Sequence, residues 1–149
     1  MVVEVIICFI ATVGFGIIFN VPGRAVLIGG AIGSLSWFIL KTLPQLGASS
    51  ILATAIAAFT AATISRFLAK PFRFPGTVFS IPGIIPLVPG SKAYFTMLAF
   101  VEGNYLLGLE QGIETMLQAG AIAAGLVFSL SMFSFGKGGI GQRYETKRT

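Results

Sequence analysis

Residues 80–91 read SIPGIIPLVPGS and place three prolines in one of the most apolar stretches of the chain. Pro82, Pro86 and Pro89 each lack the backbone N–H that a regular helix uses for its hydrogen bonds. A helix cannot run through them without interruption, so the stretch predicts a break in the backbone. The structural role of such a break depends on whether water or lipid surrounds it, and the composition of the rest of the sequence indicates which.

The composition of the chain is typical of a membrane protein. Of its 149 residues 55% are hydrophobic and 10% are charged, whereas about a quarter of the residues of a soluble globule are charged. The mean hydropathy is +0.91. Five windows carry no charged residue and approach the roughly 20 residues of a membrane-spanning helix: 5–23, 25–40, 42–65, 74–91 and 115–136. We predict an all-α integral membrane protein with about five transmembrane helices, the fourth broken by the Pro/Gly segment.

Residue types that support common site chemistry are rare. Cys8 is the only cysteine, and histidine and aspartate are absent, so neither an intramolecular disulfide nor a zinc site of the usual ligands can form. The same absences leave no credible pair of base and nucleophile. We therefore expect no metal, no cofactor and no enzymatic activity.

The net charge of +5 comes largely from two basic clusters that flank apolar windows. They are a loop with Arg66, Lys70 and Arg73, and a C-terminal tail with Lys137, Arg143, Lys147 and Arg148. Basic residues beside membrane helices favour the cytoplasmic side, and no predicted extramembrane domain could hold a nucleic acid. We expect the lipid bilayer, and no nucleic acid, to be the surroundings of these charges.

The two basic clusters also predict the topology. If both lie in the cytoplasm, an even number of crossings separates them, three crossings precede the loop, and the N-terminus lies outside. We predict one transmembrane domain over 1–136 and a basic cytoplasmic tail over 137–149. Residues 102–114, EGNYLLGLEQGIE, hold three of the five acids and then fall outside, as an interfacial helix or as a hydrated loop.

Small residues recur at helical spacing in three of the apolar windows. They are Gly29 and Gly33, then Ala53, Ala57 and Ala61, and finally Ala121 and Gly125. Such spacing lets helix backbones approach closely in a membrane. Packing within the chain is favoured, and a subunit seam, including one between copies in a homo-oligomer, is the alternative.

The Pro/Gly segment also predicts a binding site. The prolines would leave the carbonyls of Val78, Pro82 and Ile85 without helical partners, and broken backbone in a membrane is tolerated mainly where it lines a cavity or is buried in protein. Ser91 is a suitable N-cap for a following helix, whose N–H groups attract anions, and Lys92 would strengthen that attraction. The alternative is a loop at the membrane surface.

A second turn signal stands at residues 19–24, FNVPGR. Asn20 is a polar residue at the end of an apolar helix, and Pro22 with Gly23 forces a turn. Asn20 could cap that helix or face a substrate path, and without further observations the cap is the better interpretation.

Two segments carry a resemblance to a known family. FGIIFNVPGR at 15–24 and FSIPGIIPLVPGSKAYFTM at 79–97 resemble the hallmark segments of the threonine/serine exporter family, and the likeness extends over most of the chain. The matching positions are Asn20, Pro22, Pro82, Gly83, Pro86, Leu87, Pro89 and Gly90. The chain is similar to the small subunit of the split, two-protein type, which corresponds to the second half of the full-length exporter.

The resemblance implies a function, a place and a partner. It implies efflux of small amino acids, driven by the proton gradient, in the bacterial plasma (inner) membrane together with a larger family subunit. Related split pairs are associated with dicarboxylate export, so a succinate-type substrate is an alternative, and a scaffold subunit that does not transport is another. The predicted substrate-binding or pathway residues are Asn20, Pro82, Gly83, Pro86, Leu87, Pro89, Gly90, Ser91, Lys92 and Tyr94.

Charge partners for such a substrate are hard to find in the sequence. All five acids lie near predicted helix ends or beyond them, and Glu102 is the nearest candidate for a coupling residue. At about 1.5 Å per residue, Glu102 lies about 16 Å from Ser91, too far for one small zwitterion to bridge. Either the unwound carbonyls of the Pro/Gly segment bind the ammonium group, or the missing charge comes from a second protein. The second explanation agrees with the resemblance to a split pair, so we predict a half-transporter that is inactive alone.

Overall fold

The computed structural model describes residues 1–72 and 74–135, apart from the side chains of Lys70, Ser134 and Phe135. Arg73 and the predicted basic tail at 137–149 lie outside the described residues. The elements, in chain order, are α1 (Val2–Ile18), α2 (Gly23–Gln45), α3 (Ser50–Phe72), α4 (Thr77–Ile84), a 3₁₀ turn (Ile85–Leu87), α5 (Gly90–Val101) and α6 (Tyr105–Phe135).

The predicted all-α membrane architecture is confirmed. Helices α2, α3 and α6 are long and apolar enough to cross a membrane, and the segments Thr77–Leu87 and Gly90–Val101 form a further span bent by 45°. The bend confirms the predicted break in the fourth helix. Helix α1 is a shorter apolar helix of 17 residues, at the lower limit of a membrane span.

Helices α1 to α4 form a bundle in which small residues allow neighbouring helices to pack closely. A Cβ atom added at Gly33 would lie 2.8 Å from Oγ1 of Thr12 on α1, and one added at Gly29 would lie 2.7 Å from Cγ of Pro82 on α4. Ala57 on α3 is fully buried. The small residues predicted to allow close approach therefore pack within the chain.

Helix α6 joins this bundle along α3, and the two helices run in the same direction. The hydroxyls of Thr63 and Ser129 lie 3.1 Å apart, and four residues further on the rings of Phe67 and Phe133 meet at 5.1 Å. The C-terminal ends of α3 and α6 therefore lie at one end of the bundle. This agrees with the topology predicted from the sequence, in which two crossings separate the end of α3 from the end of α6 and both ends lie on the same side of the membrane.

The first half of α6 forms a hairpin with α5 at the other end of the bundle. The turn places Gly103 at a φ of 79°, and the side-chain oxygen of Asn104 accepts a hydrogen bond from the N–H of Leu107 at 3.5 Å. Helix α6 has 31 residues and is therefore about 46 Å long, more than the roughly 30 Å of the hydrocarbon.

The two interpretations of residues 102–114 fare differently. Residues 102–104 form a turn and Tyr105 begins α6, so the loop interpretation was wrong, whereas residues 105–114 are helical and continuous with the last span. The helix starts early because its first turns pack on α5: a Cβ atom at Gly108 would lie 3.0 Å from the ring of Phe100. Packing against a neighbour extends a helix through residues that composition alone assigns to a loop.

Candidate functional site

The break in the fourth span is a hydrogen-bonded 3₁₀ turn. The N–H of Ile85 donates to the carbonyl of Pro82, and the N–H of Val88 donates to the carbonyl of Ile85 at 3.2 Å. The prediction that these two carbonyls lack partners was therefore wrong. The chain replaces the lost bonds of the α-helix by bonds between residues three apart, which prolines at spacings of four and three still permit.

Ser91 does not cap α5, contrary to the prediction. The helix begins at Gly90 with Pro89 in the N-cap position, and no side chain accepts a bond from its first N–H groups. The N–H of Gly90 donates to the carbonyl of Val88 at 2.8 Å, and the helix starts two residues earlier than the sequence suggests. Ser91 lies in the first turn and is exposed.

The residues of the Pro/Gly segment divide into a buried group and a surface group. Pro82, Gly83 and Leu87 are buried, and a Cβ atom at Gly83 would lie 2.7 Å from Cγ2 of Ile32 on α2. Pro86 and Pro89 are partly buried, whereas Gly90, Ser91 and Tyr94 are exposed. The first group packs α4 onto the bundle, and only the second group is open to a ligand from outside.

Asn20 ends helix α1. It has a φ of 58°, its N–H donates to the carbonyl of Ile17, and the N–H of Val21 donates to the carbonyl of Gly16. This is the Schellman arrangement in which an asparagine or glycine ends a helix in the left-handed conformation. The backbone of Asn20 thus has the capping conformation that the sequence allows.

Asn20 also lines a cavity of about 340 Å³ between the α1–α2 turn and the start of α4. The lining residues are Phe19, Asn20, Val21, Pro22, Thr77, Val78 and Ile81. Among these described lining residues, Asn20 and Thr77 supply the polar side chains. The structure does not bring this cavity together with Ser91 and Lys92, because those residues begin α5 beyond the opposite end of α4.

An ion pair joins the start of α5 to α6. Nζ of Lys92 lies 2.7 Å from Oε2 of Glu114, and the two side chains are 38% and 55% exposed. Glu114 was not among the predicted site residues. The sequence places it 22 positions from Lys92, and only the antiparallel hairpin brings the two side chains together.

Glu102, the predicted coupling candidate, is not part of this pair. It follows the last residue of α5 as its C-cap, at the opposite end of that helix from Lys92. All four acids in the described part of the chain are exposed: Glu4, Glu102, Glu110 and Glu114. Within the described residues, the interior of the bundle therefore contains no carboxylate.

The comparison with known families agrees with this architecture. A family model described as "Threonine/Serine exporter, ThrE" matches residues 4–132, which is most of the chain and every helix. The chain belongs to this family. The threonine/serine exporter family is a family of membrane transport proteins, and the match extends over both the bundle and the α5–α6 hairpin. No solved structure matches the chain.

Proposed function

We propose that this exporter-family chain is one subunit of a secondary transporter that exports threonine and serine across the bacterial inner membrane. In this proposal it acts together with a larger subunit of the same family. The family match over residues 4–132 supports the transport role. The requirement for a second subunit is supported by where the charged and polar groups of this chain lie.

The position of the Lys92–Glu114 pair carries the proposal. The pair lies on the surface of the chain, at the break where a substrate site is expected in a transporter with discontinuous helices. Binding pockets for small molecules enclose most of the ligand surface. This chain supplies one side of such a pocket around the pair, so we expect the larger subunit to cover the other side.

The distribution of acids supports the same division. A proton-coupled transporter usually has an ionisable residue inside the membrane part of the protein. Each acid in residues 1–72 and 74–135 is exposed, and none lies among the buried residues of the bundle. The coupling residue is therefore expected on the larger subunit or at the contact between the two.

The α5–α6 hairpin offers a surface for that contact. Helix α5 packs chiefly on α6, and one of its twelve residues, Ala99, is buried. The hairpin exposes many large apolar side chains, among them Phe95, Met97, Val101, Leu106, Leu109, Ile113 and Met116. Lys92 and Glu114 belong to the same hairpin, so a subunit that covers the pair also covers part of this apolar surface.

Efflux measurements test the proposed function. Cells without their own exporters are loaded with threonine, serine and succinate, and they express this chain, the larger subunit, or both. We expect rapid efflux of threonine and serine only from cells with both subunits. The immunoblot signal of each subunit in the membrane fraction serves as the control for expression.

Other outcomes of this assay identify the alternatives. Efflux of succinate instead of threonine would assign the chain to dicarboxylate export. Efflux by the larger subunit at the same rate with and without this chain would assign it a scaffold role. A chain that exports threonine by itself would contradict the half-transporter.

A further inference from the structure

We propose that Lys92 and Glu114 bind the charged groups of the transported amino acid, Lys92 its carboxylate and Glu114 its ammonium group. This site rests on the proposed function and adds to it the residues of this chain that touch the substrate. In the resting structure the two side chains satisfy each other. The substrate enters between them, and the ion pair between Lys92 and Glu114 is replaced by two ion pairs, one from each side chain to the substrate.

The distance between the charges suits a zwitterion. In an α-amino acid the carboxylate and the ammonium group are attached to one carbon atom, so its two binding partners must lie close together. Nζ of Lys92 and Oε2 of Glu114 are 2.7 Å apart and belong to flexible side chains on different helices. Rotation about their side-chain bonds separates them enough to admit a small molecule. Lys92 and Glu102, at opposite ends of α5, cannot do this.

The setting of Lys92 favours an anion at this place. Lys92 lies in the first turn of α5, where a cation is unfavourable for the helix dipole and an anion is favourable. Helix stability therefore does not account for a lysine here. The N–H of Gly90 already donates to Val88, so besides the ammonium group of Lys92 the N–H groups of Ser91 and Lys92 are the ones that a carboxylate at this helix end would meet.

The pair can open because it is partly exposed. Ion pairs with exposed side chains contribute little to stability, since water solvates both charges when they separate. The side chains of Lys92 and Glu114 are 38% and 55% exposed. A second subunit that excludes water would strengthen the attraction of both residues for a bound zwitterion.

The charges around the pair disfavour a dicarboxylate. Lys92 and Glu114 carry one positive and one negative charge, so the pair has no net charge. A second carboxylate on the substrate would meet Glu114 and be repelled. The pair therefore selects for molecules with one positive and one negative group.

The alternative role of this ion pair is to fasten α5 to α6 without touching substrate. Exchange of the two charges separates the roles. In the double variant Lys92→Glu with Glu114→Lys, the ion pair is retained, but the substrate would have to bind in the reverse direction, with its ammonium group instead of its carboxylate beside the N-terminus of α5. A fastening role predicts wild-type export in this variant.

The test measures threonine export by the complex with the larger subunit. We expect Lys92→Gln, Glu114→Gln and the exchanged pair to reduce the rate at least tenfold, while Glu110→Gln keeps the wild-type rate. Glu110 is the matched control because it is an exposed acid on the same helix with no ion pair in the described part of the chain. Wild-type export by either single variant, or by the exchanged pair, would overturn the proposal.

A binding measurement distinguishes failure of the site from failure of the proposed function. Threonine is added to the purified complex, and the shift in its thermal unfolding midpoint is recorded. We expect a shift for the wild type and for Glu110→Gln, and none for Glu114→Gln. If the complex exports no threonine but shows this pattern, the proposed function is wrong and the site remains. A shift that Glu114→Gln retains, or no shift in the wild type, overturns the site.

Discussion

The bundle and the α5–α6 hairpin are built on different principles. In the bundle, which consists of α1–α4 and the second half of α6, glycines and alanines bring helix backbones into contact. In the hairpin, which consists of α5 and the first half of α6, most side chains are exposed and an ion pair links the two helices. The difference indicates that close packing of small side chains stabilises the bundle, whereas the role we propose for the hairpin depends on the charges of Lys92 and Glu114.

The polar groups of the two regions show the same contrast. In the bundle, buried hydroxyls such as those of Thr12 and Ser36 donate to carbonyls of their own helix, each at 2.8 Å, and the hydroxyls of Thr63 and Ser129 pair between α3 and α6. These groups are neutral and have partners inside the bundle. In the hairpin, the charged groups of Lys92 and Glu114 pair between two helices at 2.7 Å, closer than the 3.7 Å between Lys41 and Glu4 on the bundle helices α2 and α1.

The largest effect on stability is expected at Gly125. A Cβ atom there would lie 2.5 Å from the carbonyl oxygen of Ala55 and 2.9 Å from the backbone nitrogen of Phe59, so α3 and α6 would have to move apart. We expect Gly125→Ala to lower the free energy of unfolding in detergent by about 3 kcal/mol, because the contacts are with backbone atoms that cannot rotate away. Gly120→Ala is the control, because nothing lies within 4 Å of that position.

Equal losses at these two positions would contradict the comparison. The control is expected to be neutral or to gain up to about 1 kcal/mol, since alanine favours a helix over glycine. A loss of stability at Gly120 as large as that at Gly125 would show that the effect does not come from the contact with α3. A loss of stability at Gly125 alone supports the conclusion that close contact between α3 and α6 stabilises the bundle.

A smaller effect is expected where α2 meets the Pro/Gly segment. A Cβ atom at Gly29 would lie 2.7 Å from Cγ of Pro82, which belongs to a rigid ring, but the short α4 can shift. We expect Gly29→Ala to destabilise the protein by about 2 kcal/mol. Gly14→Ala on α1 has open space and is the matched control. Equal unfolding curves for the two variants would show that α4 does not press on α2.

In the turn after α1, we expect the stability of variants at Asn20 to depend only on how well the new residue adopts the left-handed backbone conformation. Asn20 has a φ of 58°, which costs most residues other than glycine about 1 kcal/mol or more. We expect Asn20→Ala to lower the unfolding free energy by about 1 kcal/mol and Asn20→Gly to leave it nearly unchanged. If export by the complex falls equally in both variants, the amide contributes to the substrate path in addition to ending the helix.

The smallest effect on stability is expected in the hairpin. Lys92→Gln removes a partly exposed ion pair, and we expect the unfolding free energy to change by less than about 1 kcal/mol. The same variant should nevertheless lose export, so the two regions differ in which property a substitution changes. A loss of stability as large as that at Gly125 would show that the pair mainly holds the hairpin together.

Much of the fold could be predicted from the sequence because apolar length and proline position act locally. The uncharged windows indicated the spans, and Pro82, Pro86 and Pro89 indicated the break that the structure places between Leu87 and Gly90. The extent of α6 could not be predicted in this way. Its first turns carry Glu110 and Glu114, which suggest a hydrated segment, and only the contact with α5 makes them helical.

The site was less predictable because its geometry depends on contacts between distant residues. The sequence indicated Lys92 but not its partner, since the position of Glu114 depends on the turn at Gly103 and on the packing of the hairpin. The predicted free carbonyls were wrong because a 3₁₀ turn gave partners to those of Pro82 and Ile85. Local rules show that a helix must break, but not how the backbone adapts to the break.

The most direct test of the half-transporter is threonine counterflow in proteoliposomes. Proteoliposomes are prepared with this chain, with the larger subunit, or with the purified complex, and are loaded with unlabelled threonine. The uptake of labelled threonine from outside is then followed. We predict accumulation of label only in vesicles with the complex. Accumulation in vesicles that hold this chain alone would contradict the account, because one chain would then contain the whole substrate site.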